Sequence, residues 1–367
     1  MKSHFLLSLA VLALLVSCNS IKNVFGKDVT PHEVYADKID DHPMRKQWLA
    51  VSGNILHTPS SIRLPYKQLG FFPAGKPRAL ALAFTAQRGE QVNFMLQTNG
   101  NLKPVIYADI YKQEADAFTH VMAAETDSTR FGFNAEETGT YILRLQPELD
   151  ASGEYALSII ASPSLGFPVA GNKARIASVW GDSRDNGERK HEGIDIMAAK
   201  LTPAIAAADG TISSVKNGGL GGKTINLKVE GRNLSLYYAH LDKQLVYEGQ
   251  NVKKGDTIGL VGNTGNASGG APHLHFGIYT YSGAIDPLAF VKQTVKTVPD
   301  VKPKDLTKQL QLTKAIIVND RDTIKSSTIL TPLAVTAANY LAELPDGTII
   351  EAPFKSVKTN TTSVAVK

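Results

Sequence analysis

Ala271-Pro272-His273-Leu274-His275-Phe276-Gly277-Ile278 follows the glycine-rich run Asn263-Thr264-Gly265-Asn266-Ala267-Ser268-Gly269-Gly270. Where the loop residues stop and the apolar ones begin, the pattern predicts the start of a β-strand. Side chains alternate faces along a strand, so His273 and His275 share one face, close enough to act on one small centre. Two imidazoles on one face are costly to bury without a partner, and a metal ion or a proton relay would supply one. The competing reading is a pair of solvated histidines on a sheet face.

The surroundings favour the first reading. Upstream lies His191-Glu192-Gly193-Ile194-Asp195, and between the two stretches comes Tyr237-Tyr238-Ala239-His240-Leu241. Four of the nine histidines fall between residues 191 and 275, three of them beside strand-like apolar runs. Zinc takes neutral imidazole and carboxylate ligands, and a catalytic zinc keeps one position open for water. His191, Asp195 and one histidine of the 273/275 pair would make such a three-ligand site.

These residues, in this order and among these glycines, resemble the lysostaphin/LytM-type zinc endopeptidases that cut peptidoglycan peptides. The likeness runs from Gly166-Phe167-Pro168-Val169 to Asp286-Pro287 and takes in Tyr238-Ala239-His240-Leu241, Gly262-Asn263-Thr264-Gly265 and Pro272-His273-Leu274-His275-Phe276. It implies that His191, Asp195 and His275 bind the zinc and that His240 and His273 are the catalytic pair beside it. It also implies peptidoglycan stem peptides as the substrate. Relatives without activity usually lack one or more of these five residues, and all five stand here. The segment before His191 is short and Ser268-Gly269-Gly270-Ala271 is long, which bears on substrate preference rather than on the chemistry.

Residues 1–17 are expected to be a lipoprotein signal peptide. Lys2 provides a basic start, Phe5 to Val16 is apolar but too short to span a bilayer, and Leu15-Val16-Ser17-Cys18 resembles a bacterial lipobox. Cys18 is the only cysteine, so no intramolecular disulfide can form, and its position argues for acylation and a membrane anchor. Asn19 and the acid-poor Ser20-Ile21-Lys22-Asn23 point to the outer membrane, facing the periplasm. Loss of Lys2 with the signal leaves 38 basic residues, from 39, against 34 acidic ones. The resulting weak positive charge suits an anionic cell wall. No basic stripe, P-loop or dinucleotide fingerprint is present, so nucleic acid is not an expected partner.

The chain predicts an all-β protein. Residues 18–50 are expected to form a tether with a short helix near His42-Met44-Trp48, and residues 51–163 an antiparallel, jelly-roll-like β-sandwich. Leu80, Leu82 and Phe84, then Val92, Phe94 and Leu96, then Tyr141, Leu143 and Leu145, then Tyr155, Leu157 and Ile159 each recur with period two. Residues 164–294 are expected to be an antiparallel β peptidase domain, 295–305 a proline-containing linker and 306–367 a small β module. Two other functions fit the same sequence: a non-catalytic LytM-type activator of a cell-wall amidase, and a glycan-binding surface lipoprotein led by the sandwich.

Overall fold

The computed structural model describes residues 29–99, 103–115, 117–292, 296–318 and 322–363; the expected signal peptide and Cys18 lie outside these. The protein is all-β, and among the described residues no helix is long and apolar enough to cross a membrane. Its strands form two bodies joined at Ser164.

The first body is a sandwich of a five-stranded and a nine-stranded sheet. In the smaller sheet Leu80–Ala86 and Ile106–Glu114 flank Gly139–Pro147; in the larger, Gly153–Pro163 runs between Tyr66–Phe72 and Glu90–Asn99. All twelve period-two residues named above are buried in one core between the two sheets. Ala81 and Ala83, on the opposite face from Leu80 and Leu82, are buried as well. Their small side chains leave room for Leu56 to pack on that face.

Residues 31–50 differ from the expected tether. Pro31–Lys38 and Arg45–Asn54 are α-helices packed on the sandwich. Thr30 caps the first helix by accepting from the Glu33 amide at 3.2 Å, while Glu33 accepts from the Thr30 amide at 2.8 Å. Trp48 is fully buried, donates from its indole to the Pro147 carbonyl at 2.9 Å and stacks on His32 at 4.4 Å. A polar anchor therefore accompanies the apolar one.

The C-terminal strands form a small β module with its own core, in which Leu310, Leu330 and Leu341's neighbour Ala342 meet Phe71 of the sandwich. Its sheet continues directly into the sandwich, since Leu69 pairs with Val335 and Gly70 with Ala334. Ala334 and Leu341 also enter the main sandwich core. Val301, in the expected linker, is buried in the module's core.

The second body is a ten-stranded sheet system with a separate core that begins at Leu165 and ends at Val291. Where it meets the sandwich, the Leu165 amide donates to the Phe290 carbonyl at 2.9 Å and the Ser164 amide to the Gly89 carbonyl at 3.0 Å. Arg232 crosses the junction: it donates to Ser164 Oγ at 3.2 Å, pairs with Glu136 at 3.1 Å and lies over the Phe290 ring.

Candidate active site

Three neighbouring antiparallel strands of the second body carry the site: Ile194–Met197, His273–Thr280 and Ser235–Gln244. Asp195 stands opposite His275, which stands opposite Ala239 on its other side; Met197 pairs with His273. Ile194, Ile196, Tyr238, Leu274 and Phe276 point into the core with no exposure. Alternation therefore sends Asp195, His273, His275, Tyr237 and Ala239 to the opposite face, where a cleft of about 690 Å³ opens. His273 and His275 do share a face, as their spacing predicts. His191 lies one turn of chain before Asp195 and is 4% exposed.

His240 reaches this cleft against the strand's alternation, which would send it to the same side as Tyr238. In the neighbouring pairing Ile225 faces Tyr238 and Lys223 faces Leu241, so three steps along one strand match two along the other. The extra residue is a β-bulge, and His240 sits in it with a left-handed φ of 62°. Bulges re-aim side chains beside active sites, and left-handed backbone at a non-glycine residue is held only where its surroundings enforce it. Here the enforcing bonds are the His240 amide to the Gly221 carbonyl at 2.8 Å and the ring Nδ1 to the Thr264 carbonyl at 2.8 Å.

Three atoms converge at the base of the cleft. His191 Nε2 is 2.9 Å from His275 Nδ1 and 3.0 Å from Asp195 Oδ1, and His275 Nδ1 is 3.0 Å from the same oxygen. Zinc bonds of ~2.0–2.1 Å at tetrahedral angles place neighbouring ligand atoms about 3.3 Å apart, so this triangle is within a few tenths of an ångström of a zinc site. Its chemistry fits as well. The Val179 carbonyl, an acceptor only, lies 2.9 Å from His191 Nδ1, so that nitrogen carries the proton and Nε2 presents a lone pair.

His240 and His273 stand beside the triangle, their rings 5.0 Å apart, with His240 6.0 Å from His275. Each has its Nδ1–H directed at a backbone carbonyl: Thr264 for His240, and Ala271 at 3.0 Å for His273. Both present Nε2 as the remaining ring nitrogen. Burial, helped by the nearby His273 and His275, lowers the His240 pKa to about 4 and keeps that ring neutral. The five predicted site residues thus come together in one cleft.

Sequence reasoning missed two neighbours. Arg184 donates to Asp195 Oδ2 at 2.7 Å, and Tyr237 lines the cleft with its ring edge-on to His275 at 6.0 Å. Tyr237 was open to inference, because Tyr238 pointing inward obliges its neighbour to point outward. Arg184 was not, because only the fold brings it to Asp195.

The model for Peptidase family M23 matches residues 189–287, a span that holds all five site residues. An uncharacterized metalloprotease of Haemophilus influenzae is 40% identical over 121 residues, covering 32% of this chain and 25% of that protein. The peptidoglycan DD-endopeptidase ShyA of Vibrio cholerae is 37% identical over 86 residues, covering 23% and 19%. The L-Ala–D-Glu endopeptidase of Bacillus subtilis is 35% identical over 114 residues, covering 29% and 35%. Among solved structures, the catalytic domain of lysostaphin from Staphylococcus simulans is 33% identical, with a TM-score of 0.30, covering 33% of this chain and 95% of that one. The site and the sequence together define a metallopeptidase domain. The chain carries a domain of peptidase family M23, homologous to the lysostaphin/LytM-type peptidoglycan endopeptidases. It spans about a third or less of the length of the curated relatives named.

Proposed function

We propose that this protein is a zinc-dependent endopeptidase that hydrolyses peptide cross-links of peptidoglycan. The observation that carries the reading is the triangle of His191, Asp195 and His275 donor atoms, with two further imidazoles beside it in an open cleft. His191 Nε2, Asp195 Oδ1 and His275 Nδ1 would hold the metal. A zinc ion bound there would supply an acidified water and polarisation of the scissile carbonyl. His240 is neutral, its Nδ1–H fixed on Thr264, so it offers Nε2 as a proton acceptor. His273, its Nδ1 held 3.0 Å from the Ala271 carbonyl, lines the same cleft and would stabilise the developing oxyanion. Convergence of all five residues weighs against a non-catalytic activator. The resemblance of Leu15-Val16-Ser17-Cys18 to a lipobox supports an acyl anchor on Cys18 and attachment to the outer membrane, facing the periplasm.

The test is zinc per chain and peptidoglycan hydrolysis, with product masses, for the five alanine variants. His191→Ala, Asp195→Ala and His275→Ala are expected to lose zinc and activity together. His240→Ala and His273→Ala are expected to keep zinc while turnover falls at least ~100-fold. A His273→Ala protein without zinc beside a zinc-loaded His275→Ala protein refutes the division of roles.

A further inference from the structure

The Asp195 carboxylate has two oxygens, and the structure gives them different work. Oδ1 faces the two imidazoles at 3.0 Å, while Oδ2 accepts from Arg184 Nη2 at 2.7 Å. The same Nη2 lies 2.6 Å from Ser178 Oγ. Ser178 in turn donates to Asp182 Oδ2 at 2.7 Å and stands 3.2 Å from His191 Nδ1. Asp182 Oδ2 also accepts from the Val179 amide at 2.9 Å, fixing the segment whose carbonyl sets the His191 tautomer. One guanidinium therefore ties the Asp195 carboxylate to the loop that orients His191.

We propose that Arg184 is a positioning residue of the metal centre, holding Asp195 by Oδ2 so that Oδ1 alone is presented beside His191 and His275. The inference rests on the zinc reading above. A carboxylate free at both oxygens can rotate and take a cation with both; one pinned by a charge-assisted hydrogen bond cannot. The positive charge of Arg184 also offsets the negative charge of Asp195, so the donor set adds little net negative charge to a bound cation and leaves more of the cation's charge to act on water. Arg184 itself is part-exposed, with 29% of its side chain accessible, so the fold does not rest on its burial.

The experiment uses the full chain freed of metal by a chelator and titrated with zinc against a chromophoric competitor. The proteins are wild type, Arg184→Met, Arg184→Lys and Ser178→Ala. Losing a residue that orients a metal ligand typically costs 10–100-fold in affinity, and the zinc Kd of Arg184→Met is expected to rise by about that factor. Arg184→Lys keeps the charge and a donor and is expected to recover most of the loss. Ser178→Ala is expected to fall between. The visible absorption of cobalt-loaded Arg184→Met is expected to differ from wild type, because the carboxylate changes its mode of binding. Melting of the metal-free proteins, expected to be alike, separates these effects from loss of fold. An unchanged zinc Kd and cobalt spectrum in Arg184→Met overturn the inference, and a raised KM with unchanged Kd assigns Arg184 to substrate instead. A wild-type chain that binds no zinc overturns both this inference and the reading it rests on.

Discussion

The Gly193→Ala substitution puts the proposed centre under strain from one atom. Gly193 lies in the turn between His191 and Asp195, and the ring of His275 crosses directly over it. A Cβ there would sit 2.6 Å from the Phe276 carbonyl oxygen and 2.7 and 2.9 Å from Cε1 and Nε2 of His275. Phe276 pairs with Ile194 and Tyr238 on either side, so its carbonyl is fixed and the ring must yield. Moving the 2.7 Å contact out to the 3.4 Å of ordinary van der Waals contact takes a shift of 0.7 Å. Zinc sites hold their ligand distances to about 0.2 Å, so the His275 nitrogen would leave the triangle. The expected outcome is a zinc Kd raised at least ~10-fold, with about 1–3 kcal/mol of metal-free stability lost to overpacking. Competition with a chelator measures the first; thermal unfolding with and without zinc measures the second, and the stabilisation by zinc should shrink. Gly53→Ala, where a Cβ meets nothing within 4 Å, serves as the control that leaves zinc binding untouched. A Gly193→Ala protein with wild-type zinc affinity and a wild-type rise in Tm on zinc addition would show that His275 does not hold metal in this geometry.

Acid pH is expected to loosen the N-terminal helices first. Burial, with the Arg144 charge, lowers the His32 pKa below its ordinary 6.5, so its contribution is intact above that pH and is lost as pH falls from 6.5 towards the folded value. Asp109 acts lower: burial would raise its pKa, but the His120 hydrogen bond and Arg144 hold it below 3.8, so its contribution disappears only under that pH. Trp48 fluorescence during thermal melts across pH checks both steps, and His32→Phe should abolish the first. Cys18→Ala should release the protein from the membrane fraction; continued sedimentation with palmitate incorporation refutes the anchor. Arg232→Ala should speed amide exchange at Leu165 and Phe290, measured by mass spectrometry, without changing zinc binding, because Arg232 bridges the two bodies and does not line the cleft.

Local regularities carried the legible part. A two-residue period is enough to put His273 and His275 on one face and the twelve sandwich residues in one core. His240 could be assigned only through the resemblance, because its place depends on a bulge that breaks the alternation on which such reasoning relies. The start of the first helix was visible in Thr30-Pro31-His32-Glu33, a capping signature with proline in the first turn. It escaped notice because the buried faces use His32, Ala36 and Trp48 rather than a stripe of aliphatic residues. Strand pairing between the chain's two ends has no local sign at all: the Arg78–Glu343 ion pair joins residues 265 positions apart.

That pairing has a mechanical consequence. The peptidase-family domain leaves the sandwich at Ser164 and the chain returns to it by Val301, so that domain is an insertion within one folded body. A catalytic unit hung from a single linker can swivel and search; one gripped at both ends keeps its bearing on the body that holds it. Every cleft-lining residue lies between Arg184 and Tyr279, so neither grip covers the opening. Two attachments restrict the turning of the cleft more than one would, and if the proposed cell-wall substrate is as stiff and extended as its polymer, it would have to meet the cleft within that restricted range.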